Sequence, residues 1–176
     1  MITEDGFFQT GDIGEIDKDG YLKITGRIKD IIVTSGGKNI SPQYIENLLA
    51  TDEYINQIVL YGDKKNYLTA LVVPDYEHLA ERKPLAGLAD ASPAELAKSE
   101  ELYAFLMARI KDKCRDLASF EQVKKILVLA EPLTEENGEL TPTMKVKRKA
   151  VLKKFQDSLD ALYYVDGDKK PKPRWP

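Results

Sequence analysis

The sequence predicts an α+β fold: a small, mostly antiparallel sheet flanked by helices and preceded by a β-hairpin. Three features carry this prediction, namely short β-branched runs bounded by turn residues, a hairpin pattern near the start, and segments in the second half with apolar residues at helical spacing. The chain has 176 residues, 43% hydrophobic and 31% charged, so it can bury a core of its own and has an ordinary globular composition.

The hairpin is predicted from residues 13–17 and 21–25, which follow an extended lead-in. Asp19 and Gly20 supply the turn between these strands, because glycine adopts a positive φ at little cost. Gly26 is predicted to end the second strand.

The middle of the chain predicts a short strand, a helix and a strand pair. Residues 30–34 are largely β-branched, which favours a strand. Ser41 and Pro42 mark a helix start, with serine as N-cap and proline at the first helical position. Residues 55–61 and 68–73 are apolar runs on either side of a polar turn, which indicates an antiparallel pair.

The second half predicts two longer helices and one more strand. Residues 75–100 contain helix-breaking residues and should form short helices and loops, whereas residues 101–118 form an amphipathic helix. A strand follows at 125–130 and a final helix at 147–163. Residues 165–176 mix prolines with charges and are expected to form a loose tail.

Composition narrows the function classes. The formal net charge of −3 argues against a nucleic-acid binder. The single cysteine, Cys114, cannot form an intrachain disulfide, and the single histidine, His78, excludes multi-histidine metal sites. No metal site is predicted. Neither a membrane-spanning run nor a signal peptide is recognisable, so a cytoplasmic location is expected.

The glycine loop, residues 35–38, has two interpretations when taken alone. It is a tight turn between a strand and a helix, or its backbone at Gly36 and Gly37 approaches an anion while Lys38 adds positive charge. It is not a phosphate-binding P-loop, because Ile32 stands where the first glycine belongs and Asn39 replaces the serine or threonine.

A basic run and an acidic residue complete the candidates. Most cations of residues 145–154 are expected on a solvated helix face, and no aromatic residues are interleaved to stack nucleic-acid bases. Lys145 differs, because it precedes the helix in a loop and could neutralise charge on a carboxylate or phosphate. Asp12 is either a turn aspartate or an acceptor for ribose hydroxyls.

These segments, in this order, resemble motifs of the adenylate-forming acyl-CoA ligase family, and their residues are most similar to those of the long-chain fatty-acid ligases. The resemblance covers residues 6–150. Most of the family has Ser-Gly immediately before the catalytic lysine, whereas this chain has Thr143-Met144. The long-chain branch is similar to this chain at that point, so the departure favours that branch. The matching motifs are the ribose motif Thr10-Gly11-Asp12, the hinge motif at 26–30, the glycine loop with the helix start at 42–46, and the catalytic lysine motif Thr141–Arg148.

The resemblance implies a role for each candidate residue. Asp12 and Arg27 would hold the ribose of ATP, and Lys29 would be the hinge residue. Lys145 would be the catalytic residue that reaches the carboxylate and phosphate oxygens during adenylation. The glycine loop, with Gly36, Gly37 and Lys38, would contact CoA along the path of its pantetheine arm.

The resemblance also implies a domain organisation. Residues 1–28 would close a large N-terminal domain, residues 29–164 would form the C-terminal lid, and residues 165–176 the tail. The large domain would hold most of the site for fatty acid, ATP with Mg²⁺, and CoA, so the chain alone is expected to be inactive.

One alternative is a free-standing nucleotide- or CoA-binding module without catalysis. Nucleic acid is not an expected partner. Acyl chain length, and whether the full enzyme makes peripheral contact with a membrane, are left open by the sequence.

Overall fold

The computed structural model describes residues 2–85, 88 and 90–164. The predicted hairpin is present: β1 (Asp12–Ile16) pairs antiparallel with β2 (Leu22–Arg27). Gly20 has a φ of +87° in the turn, as predicted. The second strand does not end at Gly26 but continues to Arg27, because residues 26 and 27 stay in register with the start of β1.

The segment after the hairpin is more coiled than predicted. A single 3-10 turn, Ile28–Asp30, replaces the first part of the expected strand, so β3 spans Ile32–Val33 alone. This strand pairs antiparallel with β4 (Asn39–Ile40) and the two enclose the glycine loop.

Helix α1 (Pro42–Leu49) begins where the sequence placed it. Pro42, Ile45 and Leu49 are buried, which gives the helix a single apolar face. Ser41 is the N-cap residue by position, but its hydroxyl donates to the carbonyl oxygen of Thr25 in β2. The serine therefore joins the helix to the hairpin instead of capping the helix.

The main sheet has three strands in the order β5 (Ile55–Tyr61), β6 (Leu68–Pro74) and β7 (Val123–Val128). The predicted antiparallel pair of β5 and β6 is present, whereas β7 lies parallel to β6. The main sheet is therefore mixed, and the two small sheets are antiparallel.

The parallel pairing depends on a long crossover between β6 and β7. It contains α2 (Tyr76–Arg82), α3 (Pro93–Leu96) and α4 (Glu100–Lys113). Helix α4 ends earlier than predicted, because the backbone after it changes to tighter bonds, such as Leu117 N–H to the carbonyl of Cys114 at 3.1 Å. Cys114 is buried, in keeping with a packing role.

Helices cover both faces of the main sheet. Alternate strand residues such as Leu60, Ala70 and Ile126 belong to a core shared with α1 and α4. Their neighbours, among them Leu71 and Leu127, belong to a second core shared with the C-terminal helices. The predicted arrangement of a sheet flanked by helices is confirmed.

The final helix is divided in two. Helices α5 (Arg148–Lys154) and α6 (Gln156–Ala161) meet at Phe155, whose φ of −103° and ψ of 12° leave the helical region. The Phe155 side chain is buried in the second core. The predicted tail, residues 165–176, lies outside the described residues, and the division of the chain at residue 28 stays a prediction.

Candidate functional site

A cleft of about 960 Å³ lies between the hairpin, α1 and the loop before α5. Asp12 and Arg27 line it from the hairpin, and Lys145 lines it from the opposite end of the sequence. The tertiary structure thus brings together three of the residues that the sequence singled out.

Asp12 and Arg27 are direct partners across the hairpin. The Nε of Arg27 is 3.1 Å from Oδ1 of Asp12, and the Asp12 side chain is 29% exposed. The turn before β1 is closed by another group, since the N–H of Asp12 donates to the Thr10 hydroxyl at 3.1 Å. The Asp12 carboxylate therefore lines the cleft as a hydrogen-bond acceptor backed by a cation.

Lys145 lies at the end of a compact turn. The N–H of Thr141 donates to the Lys145 carbonyl at 2.8 Å, and the N–H of Lys145 donates to the Thr141 hydroxyl at 3.1 Å. Met144 has a φ of +60°, a left-handed conformation that glycine adopts more easily. The Lys145 side chain is exposed, and its ammonium has no partner among the described residues, so it can contact an external anion.

Three residues beyond Lys145, Arg148 is held firmly. Its Nη1 donates to the carbonyl of Leu60 at 2.9 Å, and its Nη2 donates to the Glu46 carboxylate. The N–H of Leu60 donates back to Oε1 of Glu46 at 2.6 Å. Burial raises the pKa of Glu46, although the neighbouring Arg148 guanidinium acts in the opposite direction.

Sequence reasoning missed this pair. It placed Arg148 on the solvated face of the basic helix, whereas the Arg148 side chain is 20% exposed and that of Glu46 is 15% exposed. One signal was available, because Arg148 is the one arginine in a run of lysines, and arginine is favoured where two acceptors must be held at once.

The glycine loop does not line this cleft. Gly37 has a φ of +75°, and its N–H donates to the carbonyl of Thr34 at 2.9 Å. The N–H of Lys38 donates to the Thr34 hydroxyl at 3.1 Å, so the loop forms a tight turn. The Lys38 ammonium lies 5.5 Å from the centre of the Phe120 ring. Contact of this loop with CoA stays a prediction.

Lys29 occupies the 3-10 turn between β2 and β3 and is exposed. Its position between the hairpin and the rest of the chain is compatible with a hinge, and that role stays a prediction.

Metal-binding and membrane-spanning features are absent from the residues that the structure describes. In them, no three His, Cys, Asp or Glu side chains converge as metal ligands would. None of the described helices combines the length and the apolar composition needed to cross a bilayer.

The family model of the AMP-binding enzyme C-terminal domain matches residues 29–166 of this chain. The chain belongs to this family. The resemblance to acyl-CoA ligases that the motifs indicated is thereby confirmed.

Two curated relatives show which enzymes of this family the chain is similar to. The chain is 43% identical over 160 residues to the long-chain-fatty-acid–CoA ligase FadD15 of Mycobacterium tuberculosis, covering 90% of this chain and 27% of that protein. It is 38% identical over 170 residues to fatty acyl-CoA synthetase A of Dictyostelium discoideum, covering 92% of this chain and 25% of that protein. The chain thus spans about a quarter of the length of the relatives it matches.

A solved structure shares the fold. The chain superposes on the A domain of the carboxylic acid reductase of Segniliparus rugosus, in complex with AMP and a co-purified carboxylic acid, with a TM-score of 0.73 and 28% identity. The match covers 92% of this chain and 24% of that chain.

Proposed function

We propose that this chain is the C-terminal lid of an ATP-dependent long-chain fatty-acid–CoA ligase, whose large N-terminal domain lies outside the 176 residues. The observation that carries the proposal is the convergence of Asp12, Arg27 and Lys145 on one cleft. The relatives named long-chain-fatty-acid–CoA ligase and fatty acyl-CoA synthetase support the substrate class.

Exposed apolar side chains on the hairpin and the lead-in support the proposal that a further domain packs against them. The exposed fractions of Ile16, Tyr21, Leu22 and Ile24 range from 57% to 74%. Phe7 and Phe8 in the lead-in are 72% and 69% exposed. Large apolar side chains exposed in this number are typical of an interface, and in the proposed enzyme the large domain covers them.

The proposed reaction has two steps. In the first, a carboxylate oxygen of the fatty acid attacks the α-phosphorus of ATP, which forms the acyl-phosphate bond of acyl-AMP and releases pyrophosphate. In the second, the thiol sulfur of CoA attacks the acyl carbonyl carbon, loses its proton and displaces AMP. Mg²⁺ accompanies ATP as its counter-ion.

The cleft residues serve the first step. The Asp12 carboxylate accepts hydrogen bonds from the ribose hydroxyls, and Arg27 holds that carboxylate in its orientation. The free ammonium of Lys145 lies against the carboxylate and the α-phosphate, so that it offsets the repulsion between two anions as they meet.

The second step requires a different face of the lid. Rotation about Lys29 withdraws Lys145 and brings the glycine loop to the channel through which CoA enters, as in other hinge-driven domain motions. The location of the glycine loop outside the cleft of Lys145 supports two separate working surfaces.

The test compares Lys145→Ala with Lys149→Ala in the full-length enzyme. Both lysines line the cleft, so the control removes the same charge from the same site. Lys145→Ala should slow adenylation, measured as pyrophosphate release, by about 10²–10³-fold. It should leave thioester formation from supplied acyl-AMP nearly unchanged, and Lys149→Ala should spare both steps. Equal effects of the two substitutions would refute the role of Lys145.

The isolated chain provides a second test. Residues 1–176 alone should show no ATP-dependent acyl-CoA formation, and calorimetry should detect weak ATP and CoA binding, as expected of half a site. Tight binding of either nucleotide by the isolated chain would favour a free-standing binding module instead.

A further inference from the structure

The ion pair between Glu46 and Arg148 joins the loop that carries Lys145 to the body of the domain. We propose that Glu46 and Arg148 are positioning residues, which hold the Lys145 loop in the orientation that adenylation requires. The proposal rests on the function proposed above and gives these two residues a role that the motifs did not assign.

Arg148 lies close enough to Lys145 in the chain to restrain its position. It is the first residue of α5 and lies three positions after the lysine. Its guanidinium donates from two nitrogens to two different acceptors, the Leu60 carbonyl and the Glu46 carboxylate. A planar guanidinium held at both nitrogens has little freedom to rotate, so the start of the helix is fixed.

The acceptors belong to β5 and to α1. Leu60 is fully buried in β5, which is an edge strand of the main sheet. Its N–H donates to Glu46 and its C=O accepts from Arg148, so the pair satisfies two peptide groups at the open edge of the sheet. The Lys145 loop is thereby tied to the sheet and to α1 together.

Other anchors hold the loop at Glu139 and at Leu140, which is buried and bridges Val146. Glu139 is buried, pairs with the Lys154 ammonium at 2.7 Å, and accepts the N–H of Lys147 at its carbonyl oxygen, also at 2.7 Å. Between these anchors, the described bonds of the Thr141–Lys145 turn are internal to the loop. Loss of Arg148 therefore removes the tie of this loop to the main sheet and α1, and leaves the ties to Glu139 and Leu140.

The first experiment measures hydrogen exchange in the isolated chain. Arg148→Met should speed exchange of the Lys145 and Lys147 amides by about tenfold or more, because local opening of the loop becomes easier. The matched control is Arg109→Met, which breaks another ion pair to a buried carboxylate, Arg109 Nε to Asp52 Oδ1 at 2.8 Å. If both variants, or neither, accelerate these two amides, the positioning role is wrong.

The second experiment measures the two half-reactions of the full-length enzyme. Arg148→Met should lower kcat of adenylation by about tenfold to a hundredfold, while KM for ATP and transfer from supplied acyl-AMP change by no more than about threefold. Arg109→Met should leave both steps within about twofold of the parent enzyme.

Two further variants separate positioning from direct charge. Arg148→Lys keeps the charge but cannot hold both acceptors, so it should remain nearly as slow as Arg148→Met; full recovery would show that Arg148 acts on the substrate by charge and would overturn the proposal. Glu46→Gln combined with Arg148→Met should be no slower than Arg148→Met alone, because the two residues act as one unit.

The failure of this proposal is distinguishable from that of the proposed function. Adenylation that survives Lys145→Ala would overturn the function assigned to the cleft. Adenylation that is abolished by Lys145→Ala but unaffected by Arg148→Met would overturn the positioning role alone.

Discussion

Gly26 and Ser41 are packed so closely that a Cβ at Gly26 would overlap the Ser41 hydroxyl. That hydroxyl donates to the carbonyl of Thr25, next to the glycine in β2. The absence of a side chain at Gly26 therefore allows α1 to approach the hairpin and complete one wall of the cleft.

Gly26→Ala should destabilise the chain by about 0.5–1.5 kcal/mol, because the added methyl group displaces the Ser41 hydroxyl from its hydrogen bond with the Thr25 carbonyl. Ser41→Ala should cost about 0.5–1.5 kcal/mol through the lost hydrogen bond. Urea unfolding of both single variants and the double variant measures the coupling. The double variant should be more stable than the sum of the two losses predicts, and simple additivity would show that the two side chains do not compete for space.

Asp12→Ala should raise KM for ATP of the full-length enzyme by about 10–100-fold, the effect of losing hydrogen bonds to a charged acceptor. Because the proposed ribose contact would be the same in the ground state and the transition state, kcat should fall much less. Glu15→Gln is the matched control, since Glu15 is also on β1 but pairs with Lys23 at 3.5 Å, outside the cleft. An unchanged KM for Asp12→Ala would exclude the ribose role.

Substitutions at Met144 should follow the cost of its φ of +60°. Glycine adopts this conformation freely, whereas a β-branched residue adopts it with strain of about 1–3 kcal/mol. The expected order of stability is Met144→Gly above Met144→Ala, with Met144→Val lowest, although the glycine gain is reduced by about 0.4–1 kcal/mol of unfolded-state entropy. Urea midpoints measure the order, and a valine variant as stable as the parent would contradict it.

Glu46 should give the chain a component of stability that decreases with rising pH. Burial raises its pKa above the ordinary 4.5, even though Arg148 lowers it, and Asp30 nearby adds to the increase. The folded state therefore holds the proton more tightly than the unfolded state, so the contribution is fully present below pH 4.5 and is lost as pH rises through the folded pKa.

Unfolding of the parent chain and of Glu46→Gln, measured from pH 4.5 upward, tests whether the stability contribution of Glu46 decreases with rising pH. The amide cannot ionise, so the stability of the parent relative to Glu46→Gln should fall as pH increases from 4.5. Parallel stability curves, or a difference that grows with pH, would show that the pKa of Glu46 is not raised.

The sequence alone determined the local elements. Asp19-Gly20 specified the hairpin turn and Pro42 the start of α1, because turn geometry and the first helical position depend on one or two neighbouring residues. The order of the motifs also sufficed to identify the family, since each motif is a run of consecutive residues. Asp12, Arg27 and Lys145 were singled out as candidates in the same way.

Tertiary structure decided what depends on distant partners. The parallel pairing of β7 follows from the crossover helices and cannot be read from an apolar run, which fits either direction. The bend at Phe155 places that side chain in a core formed by other elements. Arg148 is the one arginine among lysines in its run, but its role depends on Leu60 and Glu46, far away in the chain, which offer it two acceptors at once. Local pattern specifies conformation, whereas burial and pairing are properties of the assembled fold.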